Sequence, residues 1–166
     1  MPNWCFNRVR ISLHNMSDEE RKKFREETKI SMENDAEFSF QNILPCPQEL
    51  RDHSSGSFCT EEEYADQEPC KFDGSKQMTK KMAKEFLEKF GAKDWYNWCN
   101  NNWGTKWDPD ITDFNQNEED TIEVSFDTAW GPAEGIYTYL LETYPKLSIS
   151  WFYDEPGMGF AGYLPD

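Results

Sequence analysis

The strongest constraint on the fold is an alternation of apolar and polar side chains over Thr121–Thr128. Ile122, Val124 and Phe126 occupy every second position, and polar residues stand between them. Side chains of a strand point to its two faces in turn, so this pattern predicts a half-buried β-strand. Leu147–Tyr153 shows the same alternation and predicts a second strand.

A helix is predicted between these two strands. Ile136, Leu140 and Tyr144 recur at intervals of four residues, which places them on one helical face. Pro132 suits the first helical position, and Pro145 ends the pattern. We therefore expect both strands to lie in one antiparallel sheet, with this helix packed on it.

The first part of the chain predicts the same kinds of element. Trp4–Leu13 alternates as a strand does, and Ser17 and Glu20 form a capping box that opens a helix running to about Ile30. Glu37–Phe40 is then predicted to be a short second strand.

An insertion is predicted to follow, at about 45–119. Pro45 and Pro47 interrupt regular structure at its start. Thr79–Phe90 is predicted to be a helix within it. The tryptophan-rich segment Asp94–Asp108 is rich in asparagine and contains one glycine, which favours hydrogen-bonded turns over a long helix.

Without the insertion, the elements follow the order βαββαβ, with one more strand at Gly159–Leu164. This order is the split βαβ, or ferredoxin-like, arrangement. The sequence therefore predicts an α+β fold in a single domain over residues 1–166. Its sheet would carry an added C-terminal strand and a largely helical insertion between strands 2 and 3.

The charge of the chain restricts its partners. The net charge is -15, and residues 107–166 hold 13 acidic residues against one basic residue, Lys146. Nucleic-acid binders need the opposite sign, so we expect no direct binding of nucleic acid. The acidic surface either keeps the protein in solution or meets a basic partner.

The sequence gives no sign of a membrane segment. No apolar run approaches the roughly 20 residues that a membrane-spanning helix needs. The first residues, MPNWCFNRVR, lack the basic-then-apolar pattern of a signal peptide. We therefore expect a cytoplasmic protein that does not contact membranes.

Metal and cofactor sites are not expected. The five cysteines are irregularly spaced, and neither they nor the two histidines form the close pairs typical of zinc sites. Asp108, Asp110 and Asp113 could hold a hard cation, but Asp113 stands where a calcium loop needs glycine. A solvated acidic loop is the alternative interpretation of this segment.

Catalytic residues are not expected either. Lys106 precedes Trp107, so burial could lower its pKa and make it nucleophilic, or it could stack on an indole ring. Gly104 belongs to no phosphate-binding loop. His14 and His53 have no serine or cysteine partner nearby in the sequence.

Five motifs give the chain a resemblance to a known family. They are MPNWC at the start, ILPCPQEL at Ile43–Leu50, NWGTKWD at Asn102–Asp108, FDTAWGP at Phe126–Pro132 and YDEPGMGFAG at Tyr153–Gly162. Together they cover nearly the whole chain. The chain resembles the YubB-type ferredoxin-like family, found mainly in bacteriophages, plasmids and other mobile elements.

The resemblance implies the ferredoxin-like fold and supplies no catalytic residue. A mobile-element origin implies a role directed at the host, such as countering a defence system, in the cytoplasm of a bacterial host cell. The resemblance leaves the partner unidentified, and the oligomeric state is not set by the sequence.

These features predict a non-enzymatic binding module whose acidic face engages a basic host protein. The alternative is a small-ligand-binding protein or an enzyme, with a pocket lined by Trp103, Trp107 and Trp130; the same tryptophans also suit an ordinary core. The candidate binding residues are Trp103, Lys106, Trp107, Asp108, Asp110, Asp113, Glu118, Glu119, Asp120 and Trp130.

Overall fold

The computed structural model describes residues 1–30, 37–118 and 120–165, with the backbone alone described at 116–118. Internal contacts divide the chain into two compact units. The sheet unit comprises Met1–Pro45 and Asn102–Asp166, and the inserted unit comprises Cys46–Asn101. That the two units act as a single domain over 1–166 stays a prediction.

Helices and strands follow one another along the described residues. In chain order they are β1 (Trp4–Ser12), α1 (Asp18–Thr28), α2 (Phe40–Ile43), α3 (Gln48–Arg51), β2 (His53–Cys59), α4 (Glu61–Asp66), β3 (Lys76–Thr79), α5 (Lys80–Phe90), α6 (Trp95–Trp103), β4 (Asp110–Glu118), β5 (Thr121–Ala129), α7 (Glu134–Thr143), β6 (Ser148–Glu155) and β7 (Phe160–Leu164).

The sheet unit contains a five-stranded antiparallel sheet in the order β4-β5-β1-β6-β7. Taken as β1-α1-β4-β5-α7-β6, its elements follow the βαββαβ order of the ferredoxin-like fold, and β7 is the added C-terminal strand. The predicted fold class is therefore confirmed. The two predicted strands, now β5 and β6, lie in this sheet on either side of β1.

The second strand of the fold is β4, so the prediction of Glu37–Phe40 for that role was wrong. Glu37 forms an isolated bridge, and Phe40 begins α2 instead. The apolar alternation of Phe38 and Phe40 has another cause, because both rings pack against Phe126, with centroids 5.3 and 5.7 Å away. The insertion consequently precedes strand 2 and ends before β4.

The core lies on one face of the sheet. Val9, Ile11, Phe126 and Trp151 are fully buried there, and Leu140 of α7 is fully buried as well. The Phe126 and Trp151 rings meet edge to face at 5.6 Å, which is a favoured geometry for an aromatic pair. Burial of this set is the main source of stability for the sheet unit.

Helix α1 begins as predicted. The Ser17 side chain accepts a hydrogen bond from the Glu20 backbone N–H, and the Glu20 carboxylate accepts one from the Ser17 N–H at 2.8 Å. Phe24 is its buried aromatic residue and meets Tyr144 edge to face at 5.0 Å. Helix α7 begins at Glu134, two residues after the predicted start at Pro132.

The inserted unit combines short helices with a parallel pair of strands, β2 and β3, that the sequence did not predict. His53 is buried at the start of β2, where its Nδ1 lies 2.7 Å from the Glu49 carbonyl and its Nε2 lies 3.1 Å from the Tyr64 hydroxyl. Both ring nitrogens are thus occupied, which gives this histidine a structural role.

The tryptophan-rich segment is largely helical, and the prediction of turns there was wrong. Asp94 opens α6, because its carboxylate accepts a 2.8 Å hydrogen bond from the Asn97 N–H. Trp98, Cys99 and Trp103 are buried at the spacing of one helical face. That spacing was visible in the sequence but was outweighed by the asparagines.

Candidate functional site

The sheet unit presents a second face, opposite the core, that carries exposed side chains. Along β1 the buried residues alternate with Trp4, Phe6, Arg8 and Arg10, all of which are exposed. Trp4 is 45% and Phe6 38% exposed, so two large apolar side chains of this central strand remain in contact with solvent. We call this surface the open face.

Carboxylates lie on both sides of Phe6 on the open face. The Cα of Phe6 is opposite that of Asp127 in β5 and that of Asp154 in β6. Asp127 is in turn opposite Asp110 in β4. Burial, and then the nearby negative charge of Asp110, raise the pKa of Asp127 above its usual range. The row therefore concentrates negative charge.

A pair of exposed indoles adjoins this row. The Trp4 and Trp107 rings lie 6.2 Å apart, and Trp107 is 41% exposed. The Lys106 Nζ lies 4.1 Å from the centroid of the Trp107 ring, within the range of a cation–π contact. We call the indole pair together with Phe6 and its row of carboxylates the acidic–aromatic patch. It comprises Trp4, Phe6, Trp107, Asp110, Asp127 and Asp154.

The other end of the open face carries positive charge and a cavity. The cavity has a volume of about 230 Å³. Arg8 and Arg10 line it from β1, with Phe152 and Tyr163 on one side and Asp113 and Glu123 on the other. Ser125 and Ser150 add their hydroxyl groups to its wall.

The acidic segment predicted to be a loop is an edge strand with its flanking turns. Asp110 and Asp113 are exposed on β4. Asp108 instead holds the start of α2, because its carboxylate accepts hydrogen bonds from the Ser39 hydroxyl at 2.7 Å and the Phe40 N–H at 2.5 Å. The predicted segment is thus divided between an exposed edge strand and a helix cap.

The last three predicted acidic residues are at the turn after β4. Glu118 belongs to β4, where its backbone alone is described, and Glu119 lies outside the described residues. Asp120 is 3.0 Å from the His14 Nδ1, and this hydrogen bond lowers the pKa of its carboxyl group. Asp120 therefore has a local partner of its own.

The three tryptophans of the predicted pocket differ in environment. Trp103 is 4% exposed, and its indole N–H donates to the Leu44 carbonyl at 2.8 Å. Trp107 and Trp130 are exposed. Trp130 has a positive φ of 73° and its backbone N–H donates to the Asn3 carbonyl at 2.9 Å. Trp103 is thus a core residue, and the other two are surface residues.

A buried polar cluster escaped the sequence analysis. The Asn7 amide donates to the Thr128 hydroxyl at 2.8 Å and accepts from the Trp151 indole N–H at 2.9 Å. Cys5 is also fully buried, and burial raises the pKa of its thiol to about 11. A thiol that stays protonated at neutral pH is a poor nucleophile, so this cluster fits a structural role better than catalysis.

In the described part of the chain, the histidine, cysteine, aspartate and glutamate side chains form no group of three or more that could hold a metal ion. None of its helices combines the length and the apolar composition needed to cross a membrane.

The C-terminal part of the sheet unit is similar to a known family. Residues 102–165 match the family described as "Ferredoxin-like domain in Api92-like protein". This match agrees with the topology of the sheet. Among solved structures, the protein api92 from Yersinia pseudotuberculosis is similar at 11% sequence identity and a TM-score of 0.48, over 98% of this chain and 93% of that chain. No curated protein matches the chain.

Proposed function

We propose that the protein is a non-enzymatic binding module whose acidic–aromatic patch engages a basic protein surface. The observation that carries the proposal is the row of Asp110, Asp127 and Asp154 around the exposed ring of Phe6. Carboxylates attract lysine and arginine side chains, and aromatic faces bind the same cations.

The energetics of the patch favour an external partner. Exposed aromatic side chains next to one another commonly mark protein-binding surfaces. Ionised carboxylates at adjacent positions repel one another, and the pKa of Asp127 is raised first by burial and then by the charge of Asp110. A basic partner would relieve the repulsion and cover the Trp4 and Trp107 rings in the same contact.

The resemblance to YubB-type proteins suggests where such a partner would be found. Proteins of bacteriophages, plasmids and other mobile elements act inside a bacterial host cell. We therefore propose a basic host protein in the cytoplasm as the partner, and a role such as countering a defence system. The patch has the opposite charge to a nucleic-acid site, which favours a protein partner.

The alternative of a small ligand between Trp103, Trp107 and Trp130 receives less support. The Trp103 indole is buried and its N–H is already bonded to Leu44, so the ring serves the core. The cavity on the open face is lined by other residues.

A binding experiment with a matched control tests the proposed function. The triple variant Asp110→Asn, Asp127→Asn and Asp154→Asn removes three negative charges from the patch. The control variant Glu61→Gln, Glu62→Gln and Asp66→Asn removes three from the exposed surface of α4. Both variants and the wild type would be used to capture basic proteins from a host lysate, and the affinity of each captured protein would be measured.

The proposed function predicts a loss of affinity of more than tenfold for the patch variant and less than twofold for the control. It also predicts weaker binding as salt is raised, since interactions between exposed charges are screened beyond about 8–10 Å at physiological ionic strength. Equal losses in the two triple variants would show that net charge alone governs binding and would overturn the proposal.

A further inference from the structure

Arg8 carries a positive charge on the open face of a strongly acidic protein. Its side chain is exposed at the middle of the open face. Within the described residues, its guanidinium makes no hydrogen bond or ion pair, whereas the neighbouring Arg10 is 3.6 Å from the Glu123 carboxylate. The Arg8 guanidinium donors are thus available to an external anion.

The surroundings of Arg8 supply further donors and a stacking surface. The Cα of Arg8 is opposite Ser125 in β5 and Phe152 in β6. Phe152 is next to Tyr163, with ring centroids 5.3 Å apart, and Tyr163 is 61% exposed. The Ser125 and Ser150 hydroxyls line the same cavity. Arginine and hydroxyl donors suit a phosphate group, and exposed aromatic rings suit a planar base.

From this arrangement we propose that the open-face cavity binds a nucleoside monophosphate. Its phosphate would be bound by Arg8 and a serine hydroxyl, and its base would stack on the Phe152 ring, with the Tyr163 ring tilted by 59° beside it. The site lies beside the acidic–aromatic patch and does not depend on the protein partner proposed for it.

The size and charge of the cavity favour a single nucleotide over a polynucleotide. Its volume of about 230 Å³ is somewhat below the roughly 300–1,000 Å³ of typical small-molecule sites, so it holds one small ligand partly in solvent. Glu123 lies 3.6 Å from the Arg10 guanidinium, and Asp113 places a further carboxylate on the β4 side. Asp127 and Asp154 lie two residues beyond Ser125 and Phe152 on the same strands, and therefore on the same face. A second phosphate would meet these carboxylates.

Titration of the full chain with adenosine monophosphate tests this proposal. Amide chemical shifts and calorimetry would be compared for adenosine monophosphate, adenosine, inorganic phosphate and a single-stranded RNA of twelve nucleotides. Arg8→Gln removes the guanidinium, and Phe152→Ala removes a stacking ring. Lys71→Gln removes one positive charge from an exposed site in the inserted unit and serves as the control.

We expect adenosine monophosphate to shift the amides around Arg8 and Phe152, and to bind more tightly than either adenosine or phosphate alone. Arg8→Gln is expected to weaken its binding at least tenfold and Phe152→Ala at least threefold, with less than a twofold change for Lys71→Gln. Thermal melts would establish that each variant is folded.

Three results would overturn the proposal. The first is an absence of saturable shifts near Arg8 at millimolar adenosine monophosphate. The second is equal weakening by Arg8→Gln and Lys71→Gln, which would indicate a general charge effect. The third is binding of the RNA more than tenfold tighter than the mononucleotide, which would assign the face to polynucleotides.

Discussion

The two faces of the sheet are made by the same strands and have opposite character. On the face that carries the core, here called the covered face, Val9 and Ile11 of β1 are fully buried. On the open face, Phe6 and Arg8 of the same strand are exposed. Because strand residues alternate between faces, neighbouring positions in the sequence contribute in turn to the core and to the exposed surface.

Aromatic residues lie on both faces of the sheet and differ in their exposure to solvent. Phe126 and Trp151 are fully buried and in contact with each other. Trp4 and Trp107 are also close to each other, yet each leaves over two fifths of its surface exposed. Exposed rings of this kind add little to folding, so changes on the open face should alter binding more than stability.

The largest change in stability is expected from a substitution on the covered face. Phe126→Ala removes a buried ring that touches Phe38, Phe40 and Trp151. The free energy of unfolding should fall by about 2–5 kcal/mol, as is usual for truncation of a buried large side chain. Chemical denaturation measures this loss. A loss below about 0.5 kcal/mol, well short of that range, would contradict the assignment of this face to the core.

A smaller effect is expected at the polar centre of the covered face. Asn7→Ala removes the acceptor of the Trp151 indole N–H and leaves that donor buried without a partner. An unsatisfied buried donor costs about 1–3 kcal/mol, so unfolding should occur at lower denaturant concentration. An unchanged midpoint would mean that the indole finds another acceptor. The substitution Phe6→Ala on the open face is the control, with a much smaller expected change.

A substitution at Asp108 tests whether this residue of the acidic segment stabilises α2 or contacts a partner. Asp108→Ala removes the carboxylate that accepts from Ser39 and Phe40 at the start of α2. A lost cap destabilises a protein by about 0.5–2 kcal/mol. Affinity for a basic partner should stay unchanged, because this carboxylate lies outside the acidic–aromatic patch. Loss of affinity without loss of stability would place Asp108 in the binding surface instead.

The smallest change in stability is expected from Asp127→Asn, and this change is an increase. Since its pKa is raised in the folded state, the folded protein holds this proton to higher pH than the unfolded chain. Stability therefore falls as pH rises from about 3.9, the ordinary value, through the raised pKa. The asparagine variant avoids this fall, so it should melt at a higher temperature than the wild type at neutral pH.

The pH dependence of the melting temperature separates the effect of the Asp127 charge from a general effect of the substitution. Below about pH 3.9, where Asp127 is protonated in both states, the difference in melting temperature should vanish. A difference that stays constant from acid to neutral pH would show that the charge of Asp127 is not responsible.

Much of the covered face could be predicted from the sequence. The alternation over Thr121–Thr128 and Leu147–Tyr153, and the four-residue spacing of Ile136 and Leu140, follow directly from burial on one side. The predicted strand at Glu37–Phe40 failed because Phe38 and Phe40 reach the core from a segment that leads into a short helix. Alternation of apolar residues alone does not distinguish a strand of the sheet from a segment of this kind.

The candidate site was harder to predict because it depends on strand register. Asp110 was a predicted binding residue, but its neighbours Asp127 and Phe6 come from other strands. Their proximity requires the pairing of β4 with β5 and of β5 with β1. The sequence also suggested that Trp103 and Trp107 belong together, whereas one indole is buried and bonded and the other exposed.

The most direct test of the account uses the tryptophan indole N–H signals in an NMR titration with a captured basic partner. The open face should respond, so the Trp4 and Trp107 indole signals should shift. The Trp103 and Trp151 indoles are buried and bonded to Leu44 and Asn7, so their signals should stay in place. Shifts confined to Trp103 and Trp151, with Trp4 and Trp107 unchanged, would contradict the assignment of binding to the open face.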